Sequence, residues 1–248
     1  MVVHPTPDLS PELAKRIRLV RRDVSDLLFH FTRSIHPATI TIKRGENFTI
    51  GMSGSASAVL RKILYESKLL GSSRWTYGEN TICFTEAPIQ EFNSIFSLVS
   101  IAASSAERPR YEPYGVAISK TWFFKQGGRP VIYDSPEAFS NYPSSLRYRF
   151  CKYDPNCEID FTWEREWRIS ADELHLDPEH TLVVVPTSEE AFEVVYEFAS
   201  VEADVDRDGS TMGAYHAPGG LRCHSICLGS TLLLINNPDT TVNRGIAR

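Results

Sequence analysis

The sequence predicts an α+β fold, because helix-spaced apolar patterns concentrate in the first half of the chain and strand-sized apolar runs in the second. The chain has 248 residues, 42% of them hydrophobic and 23% charged, a composition typical of a globular protein that buries one core. The glycine patterns GxGxxG and GxxxxGK[ST] do not occur in the sequence, which disfavours Rossmann and P-loop nucleotide sites. We therefore expect one α+β domain spanning residues 1–248.

The helices are predicted from apolar residues that recur at helical spacing. In the first of them, over residues 10–28, Ser10 is a capping residue and Pro11 suits the first turn. The remaining predicted helices span residues 55–67, 88–104, 120–125 and 188–200.

The strands are predicted from short runs of β-branched and aromatic residues that end at turn residues. One of them, over residues 39–43, alternates like an edge strand inside the polar segment 36–54. Residues 204–220 are rich in Asp and Gly and are predicted to form a loop. The other predicted strands span residues 27–32, 81–86, 114–119, 130–133, 161–169, 181–186 and 226–235.

Charge and cysteine content exclude several functional classes. The net charge is -5 and the pI about 5.8, so any contact with nucleic acid must come from a local patch. The sequence has no secretory signal and no run of roughly 18 apolar residues, which predicts a cytoplasmic protein without membrane contact. The five cysteines are few and odd in number, and their spacings differ from a zinc knuckle, so we expect reduced thiols and no metal site.

The segment FTWEREWRI, which begins at Phe161, is the most informative stretch for chemistry. As a strand it would place Glu164, Glu166 and Arg168 on one face and anchor the other face with its two tryptophans. Two carboxylates about 7 Å apart along one strand can stabilise a developing cation, hold a ribose hydroxyl or act as a general base. The alternative is a solvent-facing strand whose charges form cross-strand salt bridges.

Two further strands carry polar side chains at positions typical of sites. His30 and Thr32 would share a face of the strand LLFHFT, although a lone histidine on an apolar strand is more often a core residue. Thr85 and Glu86 end the next apolar strand, where Pro88 forces a turn. Neither GxSxG nor HExxH occurs, which leaves carboxylate chemistry or simple binding.

Cations and aromatics also interleave in the stretch RYRFCKY. This mixture is typical of surfaces that bind single-stranded nucleic acid through phosphate contacts and base stacking. The alternative is a surface strand whose aromatic rings pack inward. The predicted substrate-binding residues are Arg147, Tyr148, Arg149 and Lys152.

Taken in order, the segments LLFHFT, ILYESKLL, ICFTEAPI, YGVAISK, GGRPVIY and WEREWRI resemble the AbiGi-like abortive-infection proteins of bacterial phage defence. Their order is also similar to that of ADP-ribosyltransferase toxins such as DarT and CmdT, which have a His-x-Thr strand, an aromatic-bearing strand and a late catalytic Glu. The similarity covers about residues 26–186. It implies an N-terminal helix (1–26), an ADP-ribosyltransferase-like core with a split, mixed or antiparallel sheet and flanking helices (27–186), and a C-terminal extension (187–248).

The resemblance implies a cleft that binds NAD in a bent shape. His30 would then contact the adenosine ribose, Thr32 would support the nicotinamide ribose or amide, and Phe84 or Tyr77 would stack on the nicotinamide. Glu166 would hold the ribose 2′-hydroxyl and stabilise the oxocarbenium ion, and Glu164 would be the auxiliary acid. The residues expected to bind NAD are His30, Thr32, Tyr77, Phe84, Thr85 and Arg168.

The function implied is an NAD-dependent mono-ADP-ribosyltransferase toxin that modifies RNA or DNA in anti-phage defence, with an antitoxin protein as a possible partner. A second hypothesis is a non-catalytic antitoxin or sensor that binds a nucleotide or a protein in the same cleft. A third is a toxin that cleaves RNA with His30 and Glu166 and needs no NAD.

Overall fold

The computed structural model describes residues 10–20, 23–35, 39–44, 48–73, 76–88, 91–92, 96, 111–198 and 224–227. Within these ranges the chain forms a mixed α+β fold, as predicted. The α-helices are α1 (Pro11–Val20), α2 (Ala56–Glu66), α3 (Lys120–Lys125), α4 (Ser144–Arg147) and α5 (Ser188–Phe198). The strands are β1 (Leu27–Phe31), β2 (Thr39–Arg44), β3 (Phe48–Ser53), β4 (Lys68–Leu70), β5 (Thr81–Thr85), β6 (Gly115–Ser119), β7 (Arg129–Pro130), β8 (Ile132–Asp134), β9 (Phe150–Lys152), β10 (Glu166–Ser170), β11 (Glu173–His175), β12 (Thr181–Val185) and β13 (His224–Cys227).

The main sheet of the described chain has the strand order β13-β12-β6-β1-β5-β10-β7. Its neighbouring strands run antiparallel, except that β12 and β13 are parallel. Smaller pairs lie outside it: β2 with β3, β4 with β11, and the parallel pair β8 with β9. None of the described helices is both long and apolar enough to cross a membrane.

The main sheet is continuous, but the pairing between β1 and β5 narrows to one residue pair, a place that we call the split. Five residue pairs join β1 to β6 and five join β5 to β10, but β1 and β5 pair only where Phe29 lies opposite Thr85. Next to that pair the imidazole Nδ1 of His30 lies 2.8 Å from the carbonyl oxygen of Cys83. We call the two parts the β1 half (β13, β12, β6 and β1) and the β5 half (β5, β10 and β7).

Both faces of the main sheet carry apolar clusters. The larger cluster extends across both halves on one face, and the smaller one lies against the β1 half on the other. The larger cluster includes Leu28, Leu60, Leu64, Leu69, Ile82, Phe84, Val116, Ile118, Phe123, Ile169, Val183 and Val185. The smaller cluster contains Phe29, Ala87, Phe92, Ala117 and Val184.

Helix α2 shows how the sequence builds the larger cluster. Ser55 caps its first turn by accepting a hydrogen bond from the backbone N–H of Ala58, as capping serines do. The helix ends at Ser67, whose backbone has φ 50° and donates to the last turn. Leu60 and Leu64, one turn apart, are buried against the sheet, and full burial of each leucine contributes about 1.5–3 kcal/mol.

Several predictions of element boundaries are confirmed. Helix α3 matches its predicted span, and α2 and α5 match theirs within two residues over the described chain. Strands β1, β5, β6 and β12 also lie within their predicted ranges. These elements have strong local signals, namely apolar runs with capping or turn residues at their ends.

Three predictions of local structure are wrong. The first helix is predicted to reach residue 28, but β1 already begins at Leu27. Ser25 turns the chain before that strand, because its hydroxyl oxygen accepts a hydrogen bond from the N–H of Leu27. The predicted strand over residues 130–133 is divided between β7 and β8, since Val131 donates to the carbonyl of Glu166 but Ile132 to that of Arg149. The segment 36–54 holds a second strand, β3, paired with β2.

Some predicted elements lie wholly or largely outside the described residues. The loop over 204–220 lies wholly outside them. The helix over 88–104 and the strand over 226–235 lie largely outside them.

Candidate functional site

The segment FTWEREWRI is not one continuous strand, which corrects the prediction. Residues Thr162–Glu164 form a single 3-10 turn, in which the carboxylate of Asp160 accepts hydrogen bonds from the N–H and hydroxyl of Thr162. Arg165 then adopts φ 45°, so the strand begins only at Glu166. Glu164 therefore lies in the turn before β10, where it is 2% exposed.

Glu166 and Arg168 share a face of β10, as predicted, and form a buried ion pair. Nε and Nη2 of Arg168 each donate to one carboxylate oxygen of Glu166 at 2.9 Å. Nη1 of Arg168 donates to the carbonyls of Tyr148 at 3.0 Å and Phe150 at 2.7 Å. Burial opposes the charge of Arg168, but its bonds and attraction to Glu166 raise the guanidinium pKa overall. The pair thus ties β10 to β9.

Other polar groups surround this ion pair. Register places Cys83 opposite Arg168, and Tyr133 accepts the backbone N–H of Glu166 at 3.1 Å through its hydroxyl oxygen. Burial raises the pKa of the Cys83 thiol and of the Tyr133 phenol, which keeps both groups neutral. Charge on Glu164 and Glu166 raises both values further. We call Cys83, Tyr133, Glu164, Glu166 and Arg168 the carboxylate cluster.

Thr85 lies at the edge of this cluster and fixes the turn before β10. Its hydroxyl donates to the carbonyl of Glu164 at 2.5 Å and accepts from the backbone N–H of Ala87 at 3.1 Å. The side chain is 6% exposed. The Thr85 side chain therefore positions Glu164 by binding the backbone carbonyl of Glu164.

The side chains of His30 and Glu166 point to opposite faces of the sheet. Phe29, Thr85 and Glu166 lie opposite one another across three neighbouring strands and so share a face, while His30 follows Phe29 and points the other way. The imidazole lies 5.5 Å from the Phe84 ring on that other face. Burial lowers the pKa of His30, and its hydrogen bond to Cys83 partly offsets that shift. This register corrects the expectation that His30 and Glu166 both contact NAD in one cleft.

The other predicted NAD contacts are dispersed. The hydroxyl of Thr32 is buried and donates to the carbonyl of Ala56 at 2.8 Å. Phe84 is 2% exposed and lies within the larger apolar cluster. Tyr77 is 55% exposed and stacks on Phe139 with ring centroids 4.2 Å apart. Of the two aromatic residues expected to stack on nicotinamide, Tyr77 is the one with an accessible ring.

The four predicted substrate-binding residues lie within residues 132–157. This segment covers the carboxylate cluster, and we call it the β8–β9 cover. Arg147 lies 5.4 Å from the Phe139 ring, and Arg149 donates to the carbonyl of Pro130 at 3.0 Å. Tyr148 contributes its carbonyl to Arg168. Lys152 lies in β9. Its charge lowers the pKa of the Cys157 thiol, but Asp154 raises that pKa more strongly. All four side chains are half-buried.

The β8–β9 cover also contains a hollow of about 400 Å³. Tyr133 belongs both to this hollow and to the carboxylate cluster, because its hydroxyl oxygen accepts from Glu166. Sequence reasoning missed Tyr133, since the contact joins residues 33 positions apart and has no local signal. The lining residues are Tyr133, Asp134, Ser135, Pro136, Glu137, Tyr153, Asp154, Pro155 and Asn156.

The two tryptophans of FTWEREWRI behave differently from each other. Trp167 packs against the larger apolar cluster and donates from Nε1 to the carboxylate of Glu86 at 2.8 Å. Glu86 also pairs with Lys120 at 2.5 Å. Trp163 is 44% exposed, so the prediction that both rings anchor the strand is wrong for Trp163.

Within the described ranges, no group of three or more His, Cys, Asp and Glu side chains is placed to hold a metal ion. Comparison with protein-family models, with curated proteins and with solved structures found no match to this chain.

Proposed function

We propose that this protein is an NAD-dependent mono-ADP-ribosyltransferase that modifies RNA or DNA, as the toxin of a phage-defence system. One observation carries the proposal: the strands within three segments of the resemblance, LLFHFT, ICFTEAPI and WEREWRI, are neighbours in one sheet. Pairing between the first two of these strands narrows to one residue pair. The buried carboxylate of Glu164 and the largely buried carboxylate of Glu166 lie at the start of the third. A split sheet carrying a late glutamate is the arrangement that the resemblance implies.

The charges of the carboxylate cluster suit this chemistry. Two carboxylates, Glu164 and Glu166, and one guanidinium, Arg168, carry formal charges of -2 and +1, which sum to -1. The three side chains are largely buried, so their field is weakly screened. A fixed negative charge of this kind stabilises a cation that develops in the transition state.

The reaction proposed for this site is a substitution at C1′ of the nicotinamide ribose. The bond from C1′ to the nicotinamide nitrogen breaks, and its electron pair leaves with neutral nicotinamide. The ribose becomes an oxocarbenium ion, which Glu166 stabilises while it holds the 2′-hydroxyl, since a carboxylate oxygen accepts more than one hydrogen bond. A nitrogen or oxygen of the acceptor then bonds to C1′ and loses its proton to Glu164.

The proposal places NAD on the sheet face that carries Glu166. His30 then acts from the opposite face, where its bond to the Cys83 carbonyl spans the split. It positions β5 and makes no ribose contact, which revises the role that the resemblance implies. An RNA-cleaving site that uses His30 and Glu166 together is disfavoured for the same reason.

Nicotinamide release and label transfer test the proposal. Purified protein is incubated with NAD labelled in its adenylate part and with cellular RNA, DNA and protein. Wild type should release nicotinamide and label nucleic acid, and Glu166→Gln should lose at least about 100-fold of both rates. The control is Glu179→Gln, an exposed glutamate outside the site, which should match wild type. No nicotinamide release and no transfer to any acceptor would overturn the proposal.

A second candidate is a non-catalytic antitoxin or sensor that binds a nucleotide or a protein. It is favoured by the ion pair itself, because both oxygens of Glu166 already bind Arg168. It predicts that cells expressing Glu166→Gln keep the phenotype of wild type. The enzymatic proposal predicts that Glu166→Gln relieves toxicity, so a growth assay on the two proteins separates the candidates.

A further inference from the structure

We propose that the hollow in the β8–β9 cover binds a nucleobase that carries an exocyclic amino group, presented by single-stranded nucleic acid. The inference rests on the proposed function, because this base would belong to the acceptor strand. It adds a subsite and a base preference to that function.

The size and rings of the hollow suit a planar base. Its volume of about 400 Å³ lies in the range of small-molecule sites, about 300–1,000 Å³. Two tyrosines, Tyr133 and Tyr153, belong to its lining. Aromatic side chains stack on bases, and one such stack contributes about 5-fold to 150-fold in affinity.

The polar lining selects the edge of the base. Glu137 and Asp154 contribute carboxylates and Asn156 an amide, and none of the nine lining residues is Lys or Arg. The carboxylate of Asp134 also belongs to the lining, but its two oxygens already accept from the N–H of Ser135 and the hydroxyl of Tyr142. Carboxylates accept hydrogen bonds from amino groups such as N4 of cytosine. They repel the O4 carbonyl that uracil and thymine carry at the same position. The lining therefore favours amino-bearing bases and disfavours a phosphate inside the hollow.

Cations for the phosphate backbone lie beside the hollow and outside its lining. Lys152 directly precedes the lining residue Tyr153. Its ammonium group lies near enough to Cys157 for its charge to lower the pKa of that thiol. Arg149 lies one residue before β9, with its guanidinium on the carbonyl of Pro130. Lysine and arginine contact phosphates without reading sequence. The β8–β9 cover thus offers aromatic rings and hydrogen-bond acceptors for a base within the hollow. At the edge of the hollow it offers cations for the phosphates of the nucleic acid.

The hollow adjoins the proposed reaction centre through one side chain. Tyr133 lines the hollow, and its hydroxyl oxygen accepts from the N–H of Glu166 at 3.1 Å. A base in the hollow would therefore be separated from Glu166 by the Tyr133 side chain alone. This proximity is what a nucleophile requires to reach C1′ of a bound ribose.

Fluorescence anisotropy tests the inference on the full chain without NAD, so that no reaction occurs. The probes are labelled RNA hexamers of cytidine and of uridine. The two bases differ at positions 3 and 4, where cytosine has an acceptor and an amino donor and uracil has an N–H donor and a carbonyl acceptor. We expect the cytidine hexamer to bind at least about 10-fold more tightly at equal salt. Tyr153→Ala should weaken cytidine binding at least about 10-fold, and Tyr153→Phe should restore it. Asp154→Asn should reduce the preference for cytidine over uridine.

Equal affinity for the two hexamers would overturn the inference, as would cytidine binding unchanged in Tyr153→Ala. Thermal unfolding of Tyr153→Ala and Tyr153→Phe separates lost stacking from lost folding. Failure of the proposed function looks different: wild type would release no nicotinamide but would still prefer cytidine. Nicotinamide release without a preference for cytidine would overturn the base site alone.

Discussion

The two halves of the main sheet are built from different side chains. In strands β1, β6 and β12 of the β1 half, both faces carry mainly apolar side chains, whereas in the β5 half one face is apolar and the other is polar. The buried residues of the β1 half include Leu28, Phe29, Val116, Ala117, Ile118, Val183 and Val184. The polar face of the β5 half carries Thr81, Cys83, Thr85, Glu166 and Arg168.

Under the proposed function, this difference separates the residues that stabilise the fold from the residues that take part in the reaction. Apolar burial in the β1 half stabilises the fold at about 25 cal/mol per Å². A buried ion pair adds little net stability, because desolvation offsets the attraction of its charges. The β5 half therefore retains polar groups that folding alone does not require, which is the pattern expected of a functional site. The following predictions test that division.

The largest effect on stability is expected for Arg168→Met. It leaves the Glu166 carboxylate buried without its partner and should lower the free energy of unfolding by about 3–5 kcal/mol. Urea denaturation followed by circular dichroism measures the change. The matched control is the double variant Glu166→Leu with Arg168→Met, which removes both charges and should regain most of the loss. A double variant as unstable as the single one would contradict the assignment of the loss to an unpaired charge.

In the apolar core, Leu64→Ala should lower the free energy of unfolding by about 2–5 kcal/mol, because it opens a cavity. Leu64 is fully buried on α2 and belongs to the larger apolar cluster, which lies on the sheet face opposite Glu166 and Arg168. Nicotinamide release per folded molecule should remain at the wild-type rate. The control Leu70→Ala, at a position 57% exposed, should change stability by less than about 0.5 kcal/mol. A large loss of release in folded Leu64→Ala would show that the two regions are coupled.

At the hollow, Tyr133→Phe should lower the free energy of unfolding by about 1–2 kcal/mol. It removes the hydroxyl oxygen that accepts a hydrogen bond from the backbone N–H of Glu166. It should also lower nicotinamide release, since Glu166 loses a group that positions it. Tyr77→Phe is the control, with a ring that is 55% exposed, and should change stability by less than about 0.5 kcal/mol. Wild-type stability in Tyr133→Phe would mean that the hydrogen bond contributes nothing.

The smallest effect is a pH dependence that arises at the split. Burial lowers the pKa of His30 below the ordinary histidine value of about 6.5, so the unfolded chain binds a proton more readily than the folded one. Its contribution to stability is complete above about pH 6.5 and is lost as the pH falls toward the folded pKa. The slope is at most about 1.4 kcal/mol per pH unit.

His30→Gln tests this dependence, because glutamine keeps a donor for the Cys83 carbonyl but does not titrate. Urea denaturation between pH 5 and pH 8 measures the free energy of unfolding for both proteins. Wild type should lose more stability than His30→Gln on acidification through and below pH 6.5. Parallel curves for the two proteins would contradict a buried neutral imidazole at the split.

Local sequence patterns predicted the elements that depend on local signals. The apolar run of β1 and the capping serine of α2 identify those elements directly. The alternation that places Glu166 and Arg168 on one face also holds within β10. Each of these features is determined by residues within one turn or one strand.

The site could be predicted only in part, because its remaining features depend on distant contacts. Nothing in the sequence indicates that Arg165 takes φ 45°, a conformation that its bulky side chain disfavours. Its carbonyl accepts from the N–H of Glu86, 79 positions away. The relative faces of His30 and Glu166 follow from the register of three strands, which a single strand does not reveal. The hollow likewise forms only when the β8–β9 cover folds.

Under the proposed function, Glu166, and not the fold around it, is required for the release of nicotinamide. The decisive measurement is nicotinamide release from NAD by the double variant Glu166→Leu with Arg168→Met, because this protein should stay folded without the ion pair. Wild type should release nicotinamide, and the folded double variant should be at least about 100-fold slower. Release at the wild-type rate by the folded double variant would contradict that requirement.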